Sequence, residues 1–170
     1  PEEYLKFSNT NNFEFYRRKT LGINLGFGSS STTFDISVVK TYDDQNSGNL
    51  DSLNFYHIRA QENLSLGIAG NVSLFKRLKI GFNSAASILT SDQNGEGLES
   101  ENEKLLNSVS SLININETSR HGFAYDAFMS LNLGRFNISY KYQHIDPYYK
   151  TLSLSYVQSD VNNHLVSFNA

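Results

Sequence analysis

The sequence predicts an all-β fold: an antiparallel up-and-down transmembrane β-barrel, or a segment of a larger one, with one short helix in a long extracellular loop. Three observations predict it. Apolar and polar residues alternate at period two in seven separate runs. The runs are roughly 9–13 residues long, whereas soluble strands average about 5–6 and a tilted membrane strand needs about 9–11. The connections between runs alternate short and long, as tight periplasmic turns and extended outside loops do in such barrels.

The first run starts at Thr20, with Leu21, Ile23, Leu25 and Phe27 opposing Gly22, Asn24, Gly26 and Gly28. From Thr33, Phe34, Ile36, Val38 and Tyr42 oppose Asp35, Ser37 and Thr41, with Lys40 an exception on the apolar side and Val39 on the other. The third run sets Leu64, Leu66, Ile68, Val72 and Leu74 against Ser65, Gly67, Asn71 and Ser73. The fourth sets Leu78, Ile80, Phe82, Ala86 and Ile88 against Lys79, Gly81, Asn83 and Ser87. From Gly122, Phe123, Tyr125, Ala127, Met129, Leu131 and Leu133 oppose Ala124, Asp126, Ser130 and Asn132. From Phe136, Ile138, Tyr140 and Tyr142 oppose Asn137, Ser139, Lys141 and Gln143, and a last run shows Val166 and Phe168. A helical period of 3.6 would scatter these apolar positions around an axis.

Two faces follow. The expected lipid-facing residues are Leu21, Ile23, Leu25, Ile36, Leu66, Ile68, Ile80, Phe82, Met129, Leu131, Ile138 and Tyr140. The expected lumen-facing polar residues are Asp35, Lys79, Asp126, Lys141, Asn83 and Asn132. That face is rich in Gly, Ser and Asn rather than Lys and Glu, which suits close approach or water filling. Phe27, Phe34, Phe75 and Phe136 fall beside short turns; Tyr42, Phe123, Tyr125 and Tyr142 fall at the long-loop ends, as two interfacial aromatic bands would.

The short turns are Ser29–Thr32, Lys76–Arg77 and Gly134–Arg135; the long connections run from Asp43 to about Asn63 and from Ser91 to His121. In the latter, Leu98, Leu105, Leu106, Val109, Leu112 and Ile113 recur at helical spacing, and Ser100 with Glu103 forms a capping-box pattern in an acidic first turn. A short amphipathic helix is expected from about Ser100 to Asn114. Leu105, Leu106, Val109, Leu112, Tyr148 and Tyr149 are the candidate loop contacts. The two long connections carry Asp43, Asp44, Asp51, Glu62, Asp92, Glu96, Glu99, Glu101, Glu103 and Glu117 against Arg59, Lys104 and Arg120, so one rim is acidic. Such a rim repels anions.

Composition narrows the function. The chain has 170 residues, enough for one domain over 1–170, with a poorly defined N-terminal segment over 1–18. Fourteen basic residues against 17 acidic ones (net −3) argue against nucleic-acid binding. There is no cysteine, so no disulfide framework and no thiol nucleophile. No apolar stretch approaches the roughly 18 residues of a membrane-spanning helix. The chain opens at Pro1 without a signal-peptide core, which reads as a mature chain or a fragment. His57, His121, His144 and His164 lack zinc spacing. The Asp43–Asp51 loop misses the calcium-loop pattern. There is no G-x-S-x-G elbow, and neither Gly26–Gly28 nor Gly95–Gly97 opens a helix after a strand. No metal, cofactor or enzymatic activity is expected.

Two segments, Glu62–Asp92 (ENLSLGIAGNVSLFKRLKIGFNSAASILTSD) and Tyr140–Phe168, resemble the Gram-negative outer-membrane β-barrel proteins, and the resemblance extends over roughly Lys19 to Ala170. In the second segment one strand is expected to rise past the membrane through IDPYYKTL, turn near Gln158–Asp160 and descend. The resemblance implies a non-enzymatic protein of the outer membrane. It would act as a pore or as the membrane-embedded scaffold of an envelope complex, with the lipid bilayer and other envelope proteins as partners. Seven is an odd strand count, so the expectation is part of a larger barrel, or a small closed one with an eighth strand from Asn12–Arg17. The alternative is a soluble or surface-exposed β-sandwich that binds glycan or protein through Phe55, Tyr56, Tyr148 and Tyr149.

Overall fold

The computed structural model describes residues 15–47, 57–97, 110–154 and 157–170. They form seven strands: β1 (Arg17–Gly28), β2 (Thr32–Asp44), β3 (Glu62–Leu74), β4 (Leu78–Thr90), β5 (Ser119–Asn132), β6 (Asn137–Ile145) and β7 (Val161–Asn169). The strands make one antiparallel sheet in the order β1 to β7, each paired with its neighbours in sequence. Among the described residues the sheet is not closed, since β1 and β7 each have a single partner there.

Three short turns lie at one end and three long connections at the other. The β3–β4 turn is the tightest: Arg77 N–H donates to the Leu74 carbonyl at 3.1 Å across Phe75 and Lys76, both with positive φ. That backbone matches the right-handed twist of the flanking strands but is costly for residues other than glycine. At the β5–β6 turn, Gly134 takes the positive φ without that cost.

Strand ends depart from the period-two reading where charge hides it. The strand expected from Thr20 starts at Arg17, because Arg18 pairs with Asp43 and Lys19 with Asp44, each at 2.8 Å, and so extends the ladder. An eighth strand over Asn12–Arg17 is therefore corrected at its last residue: Arg17 already opens β1, opposite Asp44. Positions 12–14 lie outside the described residues. The rising strand expected to run on through IDPYYKTL stops at Ile145. Pro147 lacks an N–H for the ladder, and Tyr149 N–H turns back to the Asp146 carbonyl at 3.1 Å. Of the helix expected over Ser100–Asn114, positions 100–109 lie outside the described residues, Ser110 is helical, and 111–113 form a turn.

The strands are staggered. Leu25 on β1 is in register with Asn162 on β7 through Ile36, Ile68, Ser84, Tyr125 and His144. Leu25 lies eight residues past the start of β1, and Asn162 one residue past the start of β7. That offset of about seven residues, near 23 Å, spread over six inter-strand steps of about 4.8 Å, corresponds to a strand tilt of roughly 40°. At the short-turn end the same row lies three residues from the end of β1 and seven from the end of β7, a tilt of roughly 25°.

Candidate functional site

The candidate site is the pair of faces that the sheet presents. Cross-strand partners share a face, so the register groups side chains directly. Leu21, Ile23, Leu25, Ile36, Leu66, Ile68, Ile80, Phe82, Met129, Leu131, Ile138 and Tyr140 all fall on one face. Asp35, Lys79, Asn83, Asp126, Asn132 and Lys141 fall on the other. On the apolar face Leu66 is 44% exposed, Ile80 40% and Met129 47%, although all three sit on interior strands. No second layer of described residues covers them.

The apolar band has definite limits. On β3 it runs from Leu64 to Leu74 and on β4 from Leu78 to Ile88, eleven residues on each strand. At the long-connection end, the Lys40 ammonium reaches past the apolar band to the nearly buried Glu62 carboxylate on the same face, at 2.8 Å. This explains the charge that interrupts the β2 alternation: the stem lies on apolar surface while the head reaches past it. Glu62 also accepts from the Asn114 N–H at 3.0 Å. At the other end the turns carry Lys76, Arg77 and Arg135. Aromatic rings gather near both limits. Phe136 stacks on Phe168 at 5.7 Å; Tyr125 meets His144 at 5.1 Å and Tyr142 at 6.0 Å.

The polar face is cross-linked by short hydrogen bonds. Asn83 Nδ2 donates to Asp126 at 3.0 Å, Lys141 approaches the same carboxylate at 3.8 Å, and Ser130 donates to Asn137 at 3.1 Å. Phe128 is an aromatic residue on this polar face that the alternation does not foretell. It lies in the gap left by Gly81, where a Cβ would come within 2.4 Å of the ring, with Lys79 Nζ 5.8 Å from the ring centroid. The glycine opposite was the available signal.

The β6–β7 connection lies against the polar face at the long-connection end. Thr151 Oγ1 donates to Asn63 Oδ1 at 2.9 Å, and Leu152 N–H to the same atom at 3.2 Å. Ser87 Oγ donates to the Lys150 carbonyl, and Asn63 Nδ2 to Ser87 Oγ at 2.7 Å. A Cβ on Gly122 would come within 2.5 Å of Tyr149 N, so backbone passes directly over that strand. Asn63, Ser87 and Thr41 are buried there, and Thr90 is buried on the opposite face of the same end. Buried apolar residues also collect at this end: Leu89 and Val161 on the strands, and Ala60, Ile113 and Tyr149 in the connections.

Of the candidate loop contacts, Tyr148 and Leu112 are exposed, whereas Leu105, Leu106 and Val109 lie outside the described residues, as do Phe55 and Tyr56. Tyr149 is corrected: it is buried, and that burial raises its hydroxyl above the usual tyrosine range. Asp146, which anchors the start of this connection, is held below the usual carboxylate range by the Phe123 N–H and then by His144.

Among the described residues no group of three or more His, Asp or Glu is placed to hold a metal ion, and no helix is long and apolar enough to cross a membrane. No family model, curated protein or solved structure matches the chain.

Proposed function

We propose that this chain is a non-enzymatic β-barrel protein of a Gram-negative outer membrane, acting as a pore or as the membrane-embedded scaffold of an envelope complex. The observation that carries the reading is the uncovered apolar face on interior strands, opposite a polar one. Eleven apolar-band residues span about 33 Å along a strand, and at tilts of about 25° to 40° this rises roughly 25–30 Å, close to the height of a barrel's lipid-facing band. The Lys40–Glu62 pair and the aromatic groups at the band's limits support the same orientation, with the long connections outside and the short turns in the periplasm.

An open sheet edge cannot face lipid, because its unpaired N–H and C=O groups find no water. Further strands therefore complete the barrel. The β-sandwich alternative needs a second layer on the apolar face, and it is the outcome if the purified chain stays monomeric in solution without detergent. Reconstitution into a planar bilayer separates the two roles within the barrel class. Discrete conductance steps identify a pore; an inserted, heat-modifiable but silent protein identifies a scaffold.

A further inference from the structure

We infer that the segment Asp146–Leu154 is a latch that shuts the polar path along the sheet's inner face, an inference that rests on the barrel reading. In a barrel the uncovered apolar face looks outward, so the polar face that this segment covers is the lumen wall. The segment does not extend outward from β6. It turns at Pro147 and crosses β3, β4 and β5 at the level of Asn63, Ser87 and Gly122. Below that level, toward the short turns, the polar face carries Ala69, Asn83 and Asp126, and no described connection reaches it.

The latch is built to hold and to release. Its contacts to the wall are a few hydrogen bonds, two of them on one atom: Asn63 Oδ1 takes the Thr151 hydroxyl and the Leu152 N–H together, while Ser87 Oγ donates to the Lys150 carbonyl and Ser65 Oγ to Thr151 Oγ1. Each such bond has a modest net worth, because water replaces it on opening. A cleft of about 550 Å³ lies beside the segment, between Leu152–Leu154 and Arg18, Gln61 and Leu89, so the latch has room to move without repacking the strands. The close approach at Gly122 marks the contact as tight when shut: backbone, not a flexible side chain, fills the space a Cβ would need. A solute entering from outside meets this segment first.

The chain has no cysteine, so a single introduced thiol reports its own access. The test uses the full protein in cells, pulsed from outside with a charged, membrane-impermeant maleimide. Ala69→Cys places the thiol on the polar face below the latch, and Leu66→Cys places one on the apolar face. The expected result is slow labelling of Ala69→Cys, accelerated about tenfold by adding Asn63→Ala, which removes two of the latch's bonds. Gly122→Ala, which pushes the segment off by contact rather than by lost bonding, is expected to act in the same direction. Leu66→Cys stays unlabelled in every background. Equal labelling of Ala69→Cys with and without both substitutions overturns the latch, as does no labelling in any background. Labelling of Leu66→Cys as fast as that of Ala69→Cys overturns the barrel reading itself.

Discussion

Phe123 and Asp146 clasp each other by two hydrogen bonds: the Asp146 N–H donates to the Phe123 carbonyl at 2.9 Å, and the Phe123 N–H donates to the Asp146 carboxylate at 2.8 Å. The second bond replaces a main-chain rung with a side-chain one, so the β5–β6 ladder ends here and the chain is free to turn. His144 Nε2, 3.0 Å from the other carboxylate oxygen, fixes the rotamer, and the Asp146 carbonyl then receives the Tyr149 N–H. One carboxylate thus ends a strand and aims the segment that covers the polar face.

Acid is expected to loosen that segment. The Phe123 N–H and His144 favour the charged carboxylate, which lowers its pKa in the folded chain. The stabilisation is therefore present above the ordinary carboxylate range and is lost as pH falls through the depressed value. Hydrogen exchange at the Tyr149 amide, corrected for intrinsic rates, should quicken on acidification in the wild type. In Asp146→Ala it should be fast already and lose this added pH dependence. A wild-type profile unchanged into strong acid would remove Asp146 from the role.

Substitution by parity tests the facing. Leu66→Arg or Ile80→Arg puts a cation on the uncovered apolar band and should cost about 2–4 kcal/mol near the bilayer midplane. Lys79→Ala, one residue from Ile80 but on the opposite face, should be tolerated, since it gives up only a cation–ring contact with Phe128. Folding yield into lipid vesicles, scored by heat-modifiable migration, measures both. Equal tolerance at the two parities would contradict the orientation.

The polar face carries Asp126 between Asn83 and Lys141. Asp126→Asn keeps the amide-sized side chain but leaves Lys141 without its carboxylate. If the protein conducts, its reversal potential in a salt gradient should shift toward anions, because fixed positive charge in a narrow polar channel concentrates them. An unshifted potential would place Asp126 off the conduction path.

The two-faced character of the sheet was legible because a strand's period of two sorts side chains without reference to any partner. Leu66 and Ile80 declare their face by spacing alone. The strand ends were not legible. Arg17, Arg18 and Lys19 look like a charged terminus until Asp43 and Asp44 stand opposite them. At the start of β7, Asn162, Asn163 and His164 are polar on both faces, so no alternation marks it. Least legible was the return of the β6–β7 connection. Asn63 signals nothing about burial by its type, and the hydroxyl that satisfies it belongs to Thr151, 88 residues later. Tyr149 likewise reads as an exposed contact residue until the strand carrying Gly122 is seen beneath it.

Strand direction decides how the sheet is completed. Both β1 and β7 run from the long-connection end to the short-turn end. Direct pairing of β7 with β1 would be parallel, and so would pairing either edge with the same edge, or the opposite edge, of a second copy in the same membrane orientation. Up-and-down barrels of bacterial outer membranes are antiparallel with an even strand number. On the proposed barrel reading, the strands that complete the sheet are therefore odd in number, and those flanking β1 and β7 run upward from the short-turn end. Cysteine scanning along β1 (positions 21–27) and β7 (positions 162–168) is expected to give no β1–β7 disulfide in the assembled protein. Thiols on β1 should instead cross-link to a rising strand, with partner positions decreasing as β1 positions increase. A ladder of direct β1–β7 disulfides whose positions increase together would show parallel closure and refute this assembly.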